Sequence, residues 1–178
     1  LADALRAINK QSLNLAAQQL FLSLALAQPG PDSSLTGASE EQAAALLRQW
    51  LVRRLPAAVQ PQTAVIDSGS GLSRTQRLSA AQLAALLQWA WTQPWVEELL
   101  SSLPLNGVDG TLRRSAATPA RAHLKTGSLD DVAALAGVVL GADGRRWLLV
   151  GLVQHAKAPA ARPALDALVG CVAGPEPI

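Results

Sequence analysis

Apolar residues at Leu1, Ala4, Leu5 and Ile8 recur with the spacing of one helical face, which predicts a helix over residues 1–10. The polar group Asn9-Lys10-Gln11-Ser12 interrupts the pattern, and residues 15–26 form a second, strongly apolar helical run. Ser12 and Asn14 stand in the break, where their side chains need hydrogen-bond partners. Local sequence assigns one of them the cap of the second helix. After a Gly/Pro-bearing loop, Ser39 and Gln42 form a capping box, and Ala44, Leu47, Leu51 and Leu55 continue a helix that Pro56 ends.

Residues 63–67 read as a short strand with Ala64, Val65 and Ile66 buried, running into Ser68-Gly69-Ser70-Gly71-Leu72-Ser73-Arg74. A second capping box, Ser79 with Gln82, opens a helix through Leu83, Leu86, Leu87 and Ala90. Pro94 is expected at the first position of the next helix, anchored by Trp95, Leu99 and Leu100. Asn106-Gly107 and Asp109-Gly110 mark residues 104–118 as a structured loop. Residues 123–129 read as extended. Two apolar runs, 133–141 and 146–154, flank Ala142-Asp143-Gly144-Arg145, a strong hairpin signal. Leu148, Val150 and Leu152 alternate with Leu149, Gly151 and Val153, so both faces of the last strand are expected to be covered. Pro159 and Pro163 precede a closing helix over 164–172 with Leu165, Leu168 and Val169 on one face. The order is helical first, then three consecutive antiparallel strands and a terminal helix, an α/β (α+β) arrangement without repeats or an inter-domain linker.

Composition narrows the function classes. The 178 residues are 49% apolar, with five Trp, one Phe, no Tyr and no Met, so the interior is built mainly of Leu, Ala and Val. The formal charge of +2 comes from scattered arginines in isolated pairs, which argues for wetted surface and against a nucleic-acid partner. A single cysteine, Cys171, excludes an internal disulfide framework, and two histidines do not make a metal site without help. No metal or other cofactor is expected. No apolar stretch approaches the roughly 20 residues that span a bilayer, and there is no export signal. The first residue falls inside a helical pattern, so the true N-terminus is expected elsewhere.

The candidate chemistry centres on His123-Leu124-Lys125-Thr126-Gly127-Ser128-Leu129. In an extended strand Lys125 and Gly127 point to one face, Thr126 and Ser128 to the other. Gly127 would let a substrate backbone lie close to the strand. Lys-Thr-Gly is also the third signature of serine penicillin-binding proteins and class A β-lactamases. Further stretches resemble one family in order along the chain. The segment Asn9 to Gln18 resembles the one holding the Ser-x-Asn motif, here Ser12-Leu13-Asn14. Asp67 to Arg74 is similar to a glycine-rich stretch typical of the group, and Leu103 to Leu112 to its Leu-Pro-x-x-Gly-x-Asp-Gly-Thr-Leu run. Last comes Lys125 to Leu129 with Leu135-Ala136-Gly137. On these residues the chain resembles the C-terminal part of a class C low-molecular-mass penicillin-binding protein, a D-alanyl-D-alanine carboxypeptidase/endopeptidase of peptidase family S13.

The resemblance implies a penicillin-binding/β-lactamase-like transpeptidase fold, an antiparallel sheet flanked by helices and incomplete without an N-terminal segment. Residues 1–178 would be the C-terminal portion of the peptidase domain, carrying its second and third motifs. The catalytic set it implies is Ser12, Asn14, Lys125 and Ser128, and the substrate-binding set Thr126, Gly127 and Ser128. Ser12 would relay a proton towards the leaving amine. Asn14 would bond the substrate's acyl side-chain amide and help position the catalytic lysine. Lys125 would add positive potential. The Thr126 and Ser128 hydroxyls would hold a terminal carboxylate, and the Ser128 N–H would be an oxyanion-hole donor. Asp67, Ser70 and Asp109 are expected only in support.

The first motif of the family, Ser-x-x-Lys, supplies nucleophile and base. The lysines here are Lys10, Lys125 and Lys157, and three positions before them stand Ala7, Ala122 and Gln154. Nothing in the chain can form an acyl-serine. Gln154-His155 also replaces an expected Asn near the end of the last strand. The expected partners are therefore an N-terminal segment or chain of the same protein, peptidoglycan stem peptides and β-lactams. That protein is expected in the periplasm or at the extracytoplasmic face, with its signal peptide in the missing part. Two alternatives stay open: a catalytically inactive or truncated member that binds peptidoglycan or protein, and a β-lactamase relative.

Overall fold

The computed structural model describes residues 1–27, 38–55, 63–115 and 120–174. They form two compact units, one made of Leu1–Ser12 with Leu83–Ile178 and the other of Leu13–Gln82.

The first unit is built on a three-stranded antiparallel sheet, β1 (Ala122–Leu129), β2 (Val132–Leu140) and β3 (Arg146–Gln154), in that order. The Asp143-Gly144 hairpin lies where the sequence places it. Register alternates the side chains as expected: Lys125 pairs with Ala136 and Gly127 with Ala134, while Thr126 pairs with Leu135 and Ser128 with Ala133. Leu124, Leu135, Val139 and Leu149 are buried with Leu165, Val169 and Ala173 of the closing helix α6 (Arg162–Ala173), and this cluster is the core. Burying each leucine or valine side chain of this cluster contributes about 1.5–3 kcal/mol. Gly137 is required here, since a Cβ at that position would lie 2.0 Å from the His123 carbonyl oxygen across the β1–β2 ladder.

The expectation of a last strand covered on both faces needs correction. Leu149 is buried, but Leu148 and Leu152 on the other face are 36% and 42% exposed. A doubly apolar strand records what could be buried, and here α6 covers only one side. Among the described residues β3 pairs with β2 alone, which leaves an apolar sheet edge. On the exposed face, Arg146 stacks over Trp91 at 5.8 Å, at the end of α4 (Ala80–Trp91).

Two further helices complete this unit, α1 (Ala2–Gln11) and α5 (Val96–Ser102), packed on each other. Asn9 Nδ2 donates to Ser102 Oγ at 2.8 Å across that contact. Pro94 does not open α5. It sits in the turn before Trp95, the N-cap residue, because the chain turns twice between Trp91 and Val96. Conversely, Pro163 lies inside the first turn of α6, where a missing N–H costs nothing.

The second unit holds α2 (Asn14–Leu26) and α3 (Glu40–Arg54). The Ser39 capping box is complete: Ser39 Oγ accepts from the Gln42 N–H and Gln42 Oε1 from the Ser39 N–H. Ser79 and Gln82 form the second box, and buried Gln82 also donates to Thr63 Oγ1 at 2.9 Å. The strand expected at 63–67 is a single antiparallel bridge between Val65 and Arg77. Its flanks Ala64 and Ile66 are buried, but Val65 is 38% exposed, so the three are not buried together. Gly69, at φ 63°, lies where a Cβ would press within 2.4 Å of Phe21, the buried anchor of α2.

Candidate active site

Ser12 ends α1 in the left-handed region, at φ 54° and ψ 52°. A residue other than glycine pays about 1–3 kcal/mol for such a conformation. The cap of α2 is Leu13, with no side-chain cap bond, so neither Ser12 nor Asn14 caps that helix as local sequence suggested. Both hydroxyl and amide are committed elsewhere. Ser12 Oγ accepts a hydrogen bond from Lys125 Nζ at 3.0 Å. Asn14, the first residue of α2, donates from Nδ2 to the Ser70 carbonyl at 2.7 Å within the second unit. Tertiary partners have displaced the local caps.

Lys125 reaches Ser12 from the face of β1 opposite the one that packs on α6, and its Nζ also donates to the Thr126 carbonyl at 3.0 Å. An ammonium carries three donors, so one N–H remains for a further acceptor. Burial of this half-buried side chain lowers the Lys125 pKa from the usual lysine value, because desolvation penalises the charged form. Gly127 lies on the same face, where a Cβ would meet only Ala134 Cβ at 3.4 Å. The strand surface beside the ammonium is therefore open backbone.

Thr126 and Ser128 project to the other face, as the sequence predicts. Thr126 Oγ1 and Thr111 Oγ1 are 3.2 Å apart. Exposed Ser128 receives a hydrogen bond from Arg162 Nη2 at 3.1 Å. Arg162 was not singled out in the sequence. It lies 34 positions from Ser128 and follows a Pro/Ala-rich turn without any motif of its own.

Asp109 supports this arrangement through a contact that sequence spacing could not show. Its Oδ2 lies 2.6 Å from Lys10 Nζ, and its Oδ1 accepts from the Leu105 N–H at 2.8 Å. Burial pushes the Asp109 carboxyl up, but the Lys10 hydrogen bond and the Leu105 amide outweigh it and leave the pKa lowered. Next to it Gly110, at φ 55°, sits under α1, where a Cβ would approach the Lys10 carbonyl to 2.6 Å. The Asp109-Gly110-Thr111 run thus ties the end of α1 at Lys10 to β1 at Thr126. In the second unit, Asp67 is a turn anchor: its carboxylate accepts from the Ser68 N–H and the Ser73 and Thr75 hydroxyls. Burial raises its pKa, and these bonds together lower it further than burial raises it.

No group of His, Cys, Asp and Glu suited to a metal gathers among the described residues. Recesses beside Trp147 and Cys171, and beside Trp91 and Arg146, contain none of the motif residues.

A lysine on β1 bonded to a serine at a helix break, with a hydroxyl-flanked glycine beside it, brings Ser12, Lys125 and Gly127 together in one place. The chain belongs to the D-Ala-D-Ala carboxypeptidase 3 (S13) family, which it matches over residues 1–173. It is 40% identical over 115 residues to carboxypeptidase DacB of Mycolicibacterium smegmatis, a match covering 58% of this chain and 24% of that protein. It is 38% identical over 88 residues to the D-alanyl-D-alanine carboxypeptidase of Actinomadura sp. strain R39, covering 45% of this chain and 16% of that protein. The fold is that of penicillin binding protein 4 (dacB) from Haemophilus influenzae in complex with a β-lactam, with a TM-score of 0.75 at 23% identity over 92% of this chain and 38% of that one. The penicillin G-acylated Bd3459 predatory endopeptidase of Bdellovibrio bacteriovorus has the same fold, with a TM-score of 0.66 at 16% identity over 99% of this chain and 47% of that one. The chain spans under a quarter of the length of these curated relatives.

Proposed function

We propose that the protein containing this chain is an acyl-serine D-alanyl-D-alanine carboxypeptidase/endopeptidase that acts on peptidoglycan stem peptides and is acylated by β-lactams. The observation that carries this reading is the 3.0 Å bond between Lys125 Nζ and Ser12 Oγ, which joins the second and third motif segments of a chain belonging to the S13 family. A purely structural sheet would not need a desolvated lysine held against a serine in strained backbone.

The roles follow from donor chemistry, from steric access and from place in the motifs. Lys125 has no lone pair to accept with while charged, so Ser12 Oγ is the acceptor and its own hydrogen faces outward. Ser12 then passes a proton towards the leaving amine as the scissile C–N bond breaks and the acyl–oxygen bond forms. The nucleophile and its base belong to the length of the relatives that this chain does not span. The Ser128 N–H is an oxyanion donor, a kind of group whose loss costs about 2.7–4 kcal/mol. Thr126 and Ser128 hold the substrate's terminal carboxylate, and Gly127 admits its backbone. Asn14 is assigned the acyl-side amide from its place in Ser-x-Asn. The protein would work outside the cytoplasmic membrane, where its polymer substrate lies.

The test is the intact mass of the full-length protein with and without penicillin G. A gain of one penicillin mass, lost when the nucleophilic serine is replaced, supports the proposal. An unmodified protein refutes it and leaves binding without turnover as the function.

A further inference from the structure

Arg162 is an unusual residue for its place. It is the first residue of α6, where the helix dipole presents its positive end and an acidic side chain would be favoured. Its Nη2 donates to Ser128 Oγ at 3.1 Å, and its Nη1 is buried without a hydrogen-bond partner among the described residues. A cation against a positive helix end, with one nitrogen buried and unpaired, breaks two local rules at once, and such breaks concentrate at functional sites.

We propose that Arg162 is a positioning residue that fixes the Ser128 hydroxyl as a donor to an anionic group, and thereby sets the preference for substrates ending in a free carboxylate. The inference rests on the carboxylate role given above to Ser128. Its logic is donor counting. A guanidinium is always protonated and has no acceptor, so in this bond Ser128 Oγ must accept. The hydroxyl hydrogen is then directed away from Arg162, and Ser128 is exposed, so that hydrogen is open to a ligand. A carboxylate placed there meets an O–H already aimed at it, and one polarised by the cation that holds its oxygen. An amide or ester in the same place gains much less, because its oxygen carries no full charge. Because Arg162 contacts Ser128 and acts through it, its effect should vanish when the hydroxyl is removed.

The test uses the full-length protein and a pair of acyl-donor peptides that differ only in a C-terminal D-Ala carboxylate or carboxamide. The wild-type protein should prefer the carboxylate. Arg162→Gln should lower kcat/KM at least tenfold on the carboxylate peptide and less than threefold on the amide. Arg162→Lys, which keeps the charge, should restore most of the preference, and this variant decides the matter if Arg162→Gln does not fold. In a Ser128→Ala background Arg162→Gln should have little further effect on the ratio. Equal losses on both peptides, or an unchanged ratio in Arg162→Gln, overturn the proposal while leaving the peptidase reading intact. A wild-type protein that turns over neither peptide and takes up no penicillin overturns the peptidase reading itself, and this inference with it.

Discussion

Lys125 Nζ and Ser12 Oγ are 3.0 Å apart although 113 positions separate them in the chain. The bond closes one wall of the candidate site, and its donor is a lysine whose pKa burial has lowered. The sign of the pH effect follows. The charged form is the penalised one, so Lys125 loses its proton at a lower pH than an ordinary lysine, whose pKa is about 10.4. Acylation that needs the ammonium should therefore fall along an alkaline limb beginning below that pH, and Lys125→Ala should lack the limb. In stability, the burial penalty is present below the folded-state pKa and is relieved as pH rises towards the unfolded value. A pH–rate profile, together with a direct titration of the Lys125 Nζ signal by NMR, checks this.

Gly127→Val separates access from folding. The strand tolerates a side chain here, because the nearest atom to an added Cβ is Ala134 Cβ at 3.4 Å and valine favours strands. Stability should change by no more than about 1 kcal/mol, while penicillin acylation falls by two orders of magnitude or more. Chemical denaturation and penicillin uptake measured side by side give both numbers, and normal uptake would refute the close-approach role of this glycine.

Asp109→Asn tests the tie between α1 and the loop. It should destabilise the protein at neutral pH by about 0.5–1.5 kcal/mol, the net worth of a typical hydrogen bond. The Asp109 pKa is lowered in the folded state, so its stabilisation is present above the unfolded carboxylate range and is lost as pH falls through the folded value. Thermal unfolding across that acid range should show a shallower pH dependence in the variant. Because Lys10 lies two positions before Ser12, the acylation rate should fall as well.

What was legible in the sequence follows the range of the forces. Ser39 with Gln42, and Ser79 with Gln82, satisfy one another within a single turn, so their spacing alone announced two helix starts. The Asp143-Gly144 hairpin and the alternation of Lys125 with Thr126 were local in the same way. At Ser12 and Asn14 local reasoning failed, since a cap was available but distant partners, Lys125 and Ser70, took the side chains instead. The pairing of Lys10 with Asp109 spans 99 positions, and that of Arg162 with Ser128 spans 34, with no spacing rule to betray either. Val65 sits between two buried residues yet is exposed, because one bridge to Arg77 replaces the expected strand.

The measurement that bears most directly on the whole account is a double-mutant cycle in the full-length protein, following penicillin acylation in wild type, Ser12→Ala, Lys125→Ala and the double variant. Groups that share one proton-transfer path contribute about 10²–10⁴-fold, and residues acting as a unit are strongly non-additive. Each single variant should fall within that range, and the double variant should be little slower than the slower single one. Near-normal acylation in either single variant, or losses that simply multiply, would contradict a shared role for Ser12 and Lys125.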